Sequence, residues 1–173
     1  MAQTVVVVTF YSRGGVTERL ATAAAVGAVQ ARAGIRMRRL ADADPAATLQ
    51  RYPEAQESLA RMHREYVPPR EADVQAADAL IVGLPAGMTP RSGECSGFFE
   101  MLARLGGEGK LAGKVAAAVG ADQTLDAIAG ALSAAGLTVV TSKEDSRSDG
   151  TEAAIALGRR VVAAAESSRP AST

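Results

Sequence analysis

The sequence predicts a three-layer α/β domain, in which helices cover both faces of a five-stranded parallel sheet. Short aliphatic runs without polar alternation recur along the chain, and such runs are typical of strands that are buried on both faces. Segments with helical spacing of their apolar residues lie between these runs. Because strands that alternate with helices of this length form right-handed βαβ crossovers, the pattern indicates a parallel sheet.

The first predicted strand is the uninterrupted β-branched run Val5–Val8. Four further strands are predicted at Ile35–Leu40, Ala79–Val82, Val115–Val119 and Leu137–Val140. The run Ile35–Leu40 is more polar than the others, which indicates that it lies at an edge of the sheet.

Four helices are predicted between and after these strands, at Val16–Ala33, Cys95–Leu105, Leu125–Ala135 and Thr151–Ala165. Gly34 and Gly136 directly follow two of them, where a left-handed cap is easiest for a residue without a Cβ atom. Prolines interrupt the stretch 41–77, and we interpret Leu49–Arg64 within it as one exposed helix.

Length and composition limit the class of protein. The 173 residues contain no repeat or linker, so we expect one domain over residues 1–168 and a frayed tail over residues 169–173. Lys and Arg (19) balance Asp and Glu (19), so no nucleic-acid partner is expected. The single cysteine, Cys95, cannot form an intrachain disulfide, which fits a cytoplasmic setting. The first residues contain neither a basic segment nor a long apolar run, so no membrane insertion is expected.

The most informative segment covers residues 9–20, which follow the first predicted strand and open the first helix. Gly14 and Gly15 let the backbone approach a ligand closely, and Ser12 and Thr17 add hydroxyl groups. Because a helix N-terminus presents unpaired N–H groups and the positive end of its dipole, such a loop suits a phosphate. A Ser/Thr-capped turn without a ligand has similar chemistry, so this alternative stays open.

A second candidate loop covers residues 83–93, between a buried strand and the next helix. Pro85 and Pro90 stiffen it, as expected of a binding loop held open beside a strand end. A rigid surface loop capped by Ser92 is the alternative. The spacing of a nucleotide-binding P-loop is absent, and the glycine pattern of residues 107–112 precedes a strand instead of following one, so neither indicates a nucleotide site.

These two loops carry a resemblance to a known family. The run Phe10–Ala21 is similar to the FMN-phosphate loop of the WrbA-like NAD(P)H:quinone oxidoreductases, a family with a flavodoxin-like fold. The run Ile81–Pro85, followed by Ser92-Gly93 and Phe98–Glu100, resembles that family's second loop and the helix after it. Residues 110–114 and 156–161 resemble its lead into the fourth strand and its last helix, so the resemblance spans nearly the whole chain.

The resemblance implies the flavodoxin-like strand order 2-1-3-4-5, an FMN cofactor and a homodimer or homotetramer. The residues that it places at FMN are Ser12, Arg13, Gly14, Gly15, Val16 and Thr17 at the phosphate, Pro85, Ala86, Gly87 and Met88 along the isoalloxazine ring, and Val119, Gly120 and Ala121 on the other side of the ring. The implied activity passes two electrons from NAD(P)H through the flavin to a quinone or similar acceptor. Because the flavin performs this chemistry, no catalytic side chain and no metal site are expected.

Differences from the family pattern keep other functions open. Met88 stands where the family usually has an aromatic residue, and the third loop is shortened to Val119–Thr124. The chain contains three Phe, three Tyr and no Trp beside 37 Ala, which favours close packing of helices on the sheet but provides few rings for stacking on a ligand. The alternative is therefore a flavodoxin-like module without flavin that acts as a binding or scaffold protein. A flavodoxin-type electron carrier is disfavoured by the neutral net charge.

Three single residues have competing interpretations. His63 is expected to be a solvated helical side chain without a partner cluster. Cys95 is either activated by a helix N-terminus or a buried, inert thiol, and we favour the inert thiol. Arg13 either pairs with a phosphate or is solvated.

Overall fold

A computed structural model describes residues 2–141 and 150–170, and within them five parallel strands form one sheet. The strands are β1 Val5–Phe10, β2 Gly34–Arg39, β3 Ala79–Leu84, β4 Val115–Gly120 and β5 Thr138–Val139. Their order is β2-β1-β3-β4-β5, which confirms the expected flavodoxin-like topology and the edge position of the second strand. Residues 171–173 of the expected frayed tail lie outside the described residues.

The helices of the described residues are α1 Val16–Gln30, α2 Pro45–Arg51, α3 Gln56–Glu65, α4 Glu71–Ala76, α5 Ser96–Gly107, α6 Asp122–Ala134 and α7 Thr151–Ser167. The four helices predicted between and after the strands are confirmed as α1, α5, α6 and α7. The prediction of one exposed helix over Leu49–Arg64 is wrong, because α2 ends at Arg51 and a 3-10 turn, Pro53–Ala55, separates it from α3. Proline restricts the residue before it, and Tyr52 has the non-helical angles φ −129° and ψ 64°.

Apolar side chains from both faces of the sheet form two clusters. On one face, Val6, Val8 and Phe10 of β1 pack against α1, α3 and α7. On the other face, Val7 of β1 and Leu80 of β3 pack with residues of α5 and α6. The three layers thus arise from the alternation of side chains along strands that are buried on both faces.

Small residues allow two helix backbones to come close together where α1 crosses α7. A Cβ atom at Gly158 would lie 2.0 Å from the carbonyl oxygen of Ala24, and one at Gly27 would lie 1.9 Å from the carbonyl oxygen of Ile155. Both distances are far below van der Waals contact, so the two backbones touch. Small residues therefore allow the close packing of α1 on α7, which the composition does not specify because it favours close packing of helices on the sheet.

The two predicted glycine caps have different outcomes. Gly136 has φ +90° directly after α6, as predicted. The prediction for Gly34 is wrong, since Gly34 already begins β2 and the left-handed residue after α1 is Arg32, with φ +65°. The N–H group of Ala33 donates to the carbonyl oxygen of Ala28, so the C-terminal cap of α1 is complete before Gly34.

Candidate functional site

Three loops converge at the carboxyl edge of the central strands, where the strand order reverses. Gly83 of β3 is paired with Phe10 of β1 on one side and with Val119 of β4 on the other. A Cβ atom at Gly83 would lie 3.0 Å from Cγ2 of Val119 and 3.1 Å from Cγ2 of Thr17. The fold thus brings together the three predicted loops, and this edge is where open parallel sheets bind ligands.

The first loop leads from β1 into the open end of α1. Gly15 is the N-cap residue, has φ +97° and provides no side-chain cap for the helix. The N–H group of Gly15 donates to Oγ of the buried Ser12 over 3.2 Å. Thr17 is also buried, and within residues 2–141 and 150–170 its hydroxyl has no hydrogen-bond partner. The first turn of α1 therefore presents backbone N–H groups and two hydroxyls at the loop.

Glu18 places a carboxylate in the first turn of α1, and one guanidinium group and one tyrosine hydroxyl bind this carboxylate. Arg61 of α3 donates to both carboxylate oxygens over 2.9 and 2.6 Å, and the hydroxyl of Tyr66 donates over 2.8 Å. These contacts, led by Arg61, hold the pKa of Glu18 below its ordinary value. Its negative charge is thus neutralised locally by Arg61.

Arg13 is not free in solvent, and it forms no ion pair within residues 2–141 and 150–170. Its guanidinium group stacks 4.3 Å from the ring centre of Tyr52 and 5.1 Å from that of Tyr11. Nε donates to the hydroxyl of Tyr11 over 3.2 Å, and Nη2 lies 3.9 Å from Sδ of Met88. Its charge is therefore held half-buried beside the first loop.

A polar cluster lies behind the first loop and consists of the buried Tyr11, Arg39 and Asp42 and the exposed His63. Arg39 pairs with Asp42, and the side chains of the two are 3% and 1% exposed. Asp42 also accepts a hydrogen bond of 2.6 Å from the hydroxyl of Tyr11, and its Oδ2 lies 2.8 Å from Nε2 of His63. His63 is exposed as expected, but the expectation that it has no partner cluster is wrong.

Titration of the cluster follows from these contacts. Burial alone would raise the pKa of Asp42, but the hydrogen bonds from Tyr11 and His63 and the charge of Arg39 outweigh burial and lower it. Burial, reinforced by the hydrogen bond to Asp42, raises the pKa of Tyr11 to about 12. Asp42 is therefore ionised and Tyr11 neutral at pH 7.

The second loop has an exposed tip and a buried base. Pro85 is half-buried, Ala86 and Gly87 are exposed, and Met88 is only 6% exposed. The N–H group of Met88 donates to the carbonyl oxygen of Pro85 over 3.2 Å, which closes a tight turn. The Met88 side chain packs in the core cluster that contains α5.

The third loop is a short turn from β4 into α6. Val119 is buried, Gly120 and Ala121 are half-buried, and α6 begins at the next residue. The hydroxyl of Thr124 donates to the carbonyl oxygen of Ala121 over 2.8 Å and closes the turn. Small side chains thus border this side of the edge.

The remaining candidate residues do not extend the site. Cys95 is fully buried, and burial raises its pKa to about 12, which confirms the inert thiol. Among the described residues, no group of three or more His, Cys, Asp or Glu could hold a metal ion. None of the described helices combines the length and apolarity that a membrane crossing requires.

Sequence analysis missed the contacts of Tyr52 and of His63, because each joins parts of the chain that are distant in sequence. Tyr52 reaches Arg13 from the end of α2, and His63 reaches Asp42 from α3, 21 residues further along the chain. The sequence carries one usable clue, because Arg39 and Asp42 flank the carboxyl end of β2, at the same edge as the three loops.

Comparisons with known proteins agree with this geometry. The model of the NADPH-dependent FMN reductase family matches residues 4–141. Among solved structures, a flavodoxin, WrbA-like protein from Agrobacterium tumefaciens has a TM-score of 0.66 and 19% identity, covering 96% of this chain and 100% of that chain. A flavodoxin from the domain Archaea has a TM-score of 0.65 and 15% identity, covering 94% and 99%. A Megasphaera elsdenii flavodoxin has a TM-score of 0.59 and 18% identity, covering 90% and 98%. No curated protein matches the chain.

Proposed function

The chain belongs to the NADPH-dependent FMN reductase family, and on that premise we propose that it passes two electrons from NAD(P)H to a quinone or similar small acceptor. The observation that carries the proposal is the first loop, where Gly15 leaves the N-terminus of α1 without a side-chain cap. When bound, FMN would supply the redox chemistry, which is hydride transfer from NAD(P)H and two-electron reduction of the quinone, with uptake of two protons, to a hydroquinone.

The first loop fits the phosphate group of FMN. The N–H groups of Val16, Thr17 and Glu18 open α1 without a side-chain cap, and the Thr17 hydroxyl has no partner in residues 2–141 and 150–170. At Gly15, a side chain would be strained by the left-handed φ of +97°, although its Cβ atom would make only ordinary contact, 3.7 Å from Oε2 of Glu18. Arg13, which stacks on Tyr52 and Tyr11, adds a positive charge beside the loop.

The second and third loops leave room for a flat ring. The exposed tip of the second loop, Ala86 and Gly87, has almost no side-chain volume, and Pro85 stiffens its approach. Gly120 is needed at the third loop because a Cβ atom there would lie 2.6 Å from the carbonyl oxygen of Leu84. We propose that the isoalloxazine ring lies between Pro85–Met88 and Val119–Ala121.

The protein's contribution in this proposal is binding and orientation. The first loop holds the phosphate, the second and third loops orient the ring, and the open tip of the second loop leaves a face of the ring accessible to donor and acceptor. No side chain is assigned a proton-transfer step, since hydride transfer from NAD(P)H needs none.

The proposal extends to the assembly and setting of the protein. Three exposed valines, Val16, Val26 and Val29, lie on α1, and they support a homodimer or homotetramer in which this helix is covered. A cytoplasmic location is consistent with the single, buried cysteine. Light scattering coupled to gel filtration measures the mass of the assembly, and a monomeric mass contradicts this part of the proposal.

The activity is tested with purified protein, FMN, NADPH and benzoquinone. We expect NADPH oxidation that requires protein, FMN and quinone together, with one NADPH consumed for each quinone reduced. If the protein binds FMN but does not oxidise NADPH, an electron-carrier role replaces the reductase. If it does not bind FMN, the module acts as a binding or scaffold protein, which is the second candidate function.

A further inference from the structure

We propose that Arg39 is a positioning residue that makes the first loop selective for a phosphorylated flavin, FMN, over unphosphorylated riboflavin. This inference rests on the proposed function and adds to it the origin of specificity. Arg39 acts through the backbone of Ser12 and does not touch the ligand itself.

The contact between Arg39 and the loop has two points. Nη2 and Nε of Arg39 donate to the carbonyl oxygen of Ser12 over 2.9 and 3.3 Å. A carbonyl oxygen that faced an anion would repel it, whereas one bound from behind leaves the N–H groups of the following residues at the ligand side. Arg39 therefore fixes the peptide that orients the first loop toward a phosphate.

Further contacts hold the side chain of Arg39 in place. Asp42 lies 3.3 Å from Nη2, and Nη1 donates to the carbonyl oxygen of Leu40 over 3.3 Å. Asp42 is held in turn by the hydroxyl of Tyr11 and by His63. Because the side chain of Arg39 is 3% exposed, water and salt screen its charge less than that of a surface residue.

A purely structural role explains this cluster less well. Buried ion pairs cost desolvation, and well-packed apolar residues are often as stable or more stable in their place. The arrangement instead puts two N–H donors on the carbonyl oxygen of Ser12 at the start of the loop. Because Asp42 offsets the charge of Arg39, the selectivity comes from the orientation of the loop peptides, whose N–H groups bind an anionic phosphate more strongly than the neutral hydroxyl of riboflavin.

The neighbouring residue provides a matched control. Arg38 also lies on β2 and pairs with an aspartate, since its Nε and Nη2 donate to Asp73 of α4 over 2.9 and 2.8 Å. It has no described contact with the first loop. Arg38→Met and Arg39→Met therefore each remove one guanidinium–carboxylate pair from the same strand.

The test is fluorescence titration of FMN and of riboflavin with the wild type and both variants. We expect Arg39→Met to lower the ratio of FMN affinity to riboflavin affinity by about tenfold or more, and Arg38→Met to leave the ratio unchanged. An equal loss for both flavins in Arg39→Met, an unchanged ratio, or the same fall in Arg38→Met overturns the inference. Wild type that binds neither flavin contradicts the proposed function itself, which separates the two failures.

Folding of the variants is checked by circular dichroism. If Arg39→Met is unfolded, Arg39→Met/Asp42→Asn replaces it, because this variant leaves no unpaired carboxylate in the cluster. The same tenfold fall in the ratio is then expected. If neither variant folds while Arg38→Met does, the cluster is a stability element and the inference is overturned.

Discussion

The first and second loops lie at the same edge of the sheet but are built differently. The first loop is held from behind by a buried guanidinium, with Arg39 bound to the carbonyl oxygen of Ser12. The second loop closes on itself through short-range hydrogen bonds, such as that from the N–H group of Thr89 to Oγ of Ser92. Its tip, Ala86 and Gly87, is exposed. If FMN binds as proposed, this difference predicts that its affinity comes mainly from the phosphate end.

The distribution of aromatic residues sharpens this difference. Tyr11 and Tyr52 both contact Arg13 beside the first loop, whereas residues 85–93 contain no aromatic residue. A flat ring gains much of its binding energy from stacking on aromatic side chains. In the proposed site, the end assigned to the ring would therefore rely on small side chains and backbone.

The largest effect is expected from Gly15→Val. A β-branched residue at φ +97° strains the backbone that opens α1, so FMN affinity should fall on the order of 100-fold. Gly136→Val is the matched control, because Gly136 has φ +90° and open space around its Cβ position, remote from the three loops. Both variants should lose similar stability in urea, and only Gly15→Val should lose FMN binding. Equal binding losses would contradict the placement of the phosphate.

A smaller effect is expected from Thr17→Val, which replaces a hydroxyl with a methyl group of similar size. Because the hydroxyl has no partner in the described chain, the free energy of unfolding should hardly change. Its loss should weaken FMN binding about tenfold, as expected for one hydrogen bond to a charged group. Fluorescence titration measures this effect, and unchanged affinity would show that the phosphate does not reach Thr17.

Met88→Leu tests the ring end. Met88 is 6% exposed and the exchange conserves volume, so FMN affinity should change by less than about threefold. A loss greater than that of Thr17→Val would reverse the comparison, since it would place the main binding contacts at the second loop.

The smallest effect on binding is expected from Asp73→Asn, on the opposite side of β2 from the first loop. Hydrogen bonds from Arg38 lower the pKa of Asp73 to about 2. Because this value lies below the unfolded-state pKa of about 4, the carboxylate stabilises the fold above pH 4. That stabilisation is lost as the pH falls from about 4 towards 2.

Urea unfolding across this pH range measures the contribution of Asp73. The free energy of unfolding should fall less steeply with acid in Asp73→Asn than in the wild type, while FMN affinity at pH 7 stays the same. A change in FMN affinity at pH 7 would show that the two faces of β2 are not independent.

Much of the fold could be predicted from local patterns. Aliphatic runs such as Val5–Val8 are buried on both faces whichever strands flank them, so their pattern alone identifies them. Local patterns failed where tertiary contacts decide. Leu59 and Met62 of α3 are buried against the sheet cluster, although their surroundings in sequence are strongly charged.

The candidate site shows the same division. The loop Ser12–Thr17 could be predicted as a candidate phosphate loop because its glycines and hydroxyl residues lie close together in sequence. The pairing of Asp42 with His63 spans 21 residues and depends on the packing of α3, which no local pattern encodes. Sequence thus singled out the first loop as a candidate site, and the structure added what holds that loop in place.

The central claim is that the first loop binds the phosphate of FMN. It is tested most directly by titrating the purified wild-type protein into FMN and following flavin fluorescence, with inorganic phosphate as competitor. We expect saturable quenching with half-saturation below tens of micromolar, reversed by phosphate. Absence of saturable quenching at tens of micromolar protein, or quenching that phosphate does not reverse, would contradict the claim.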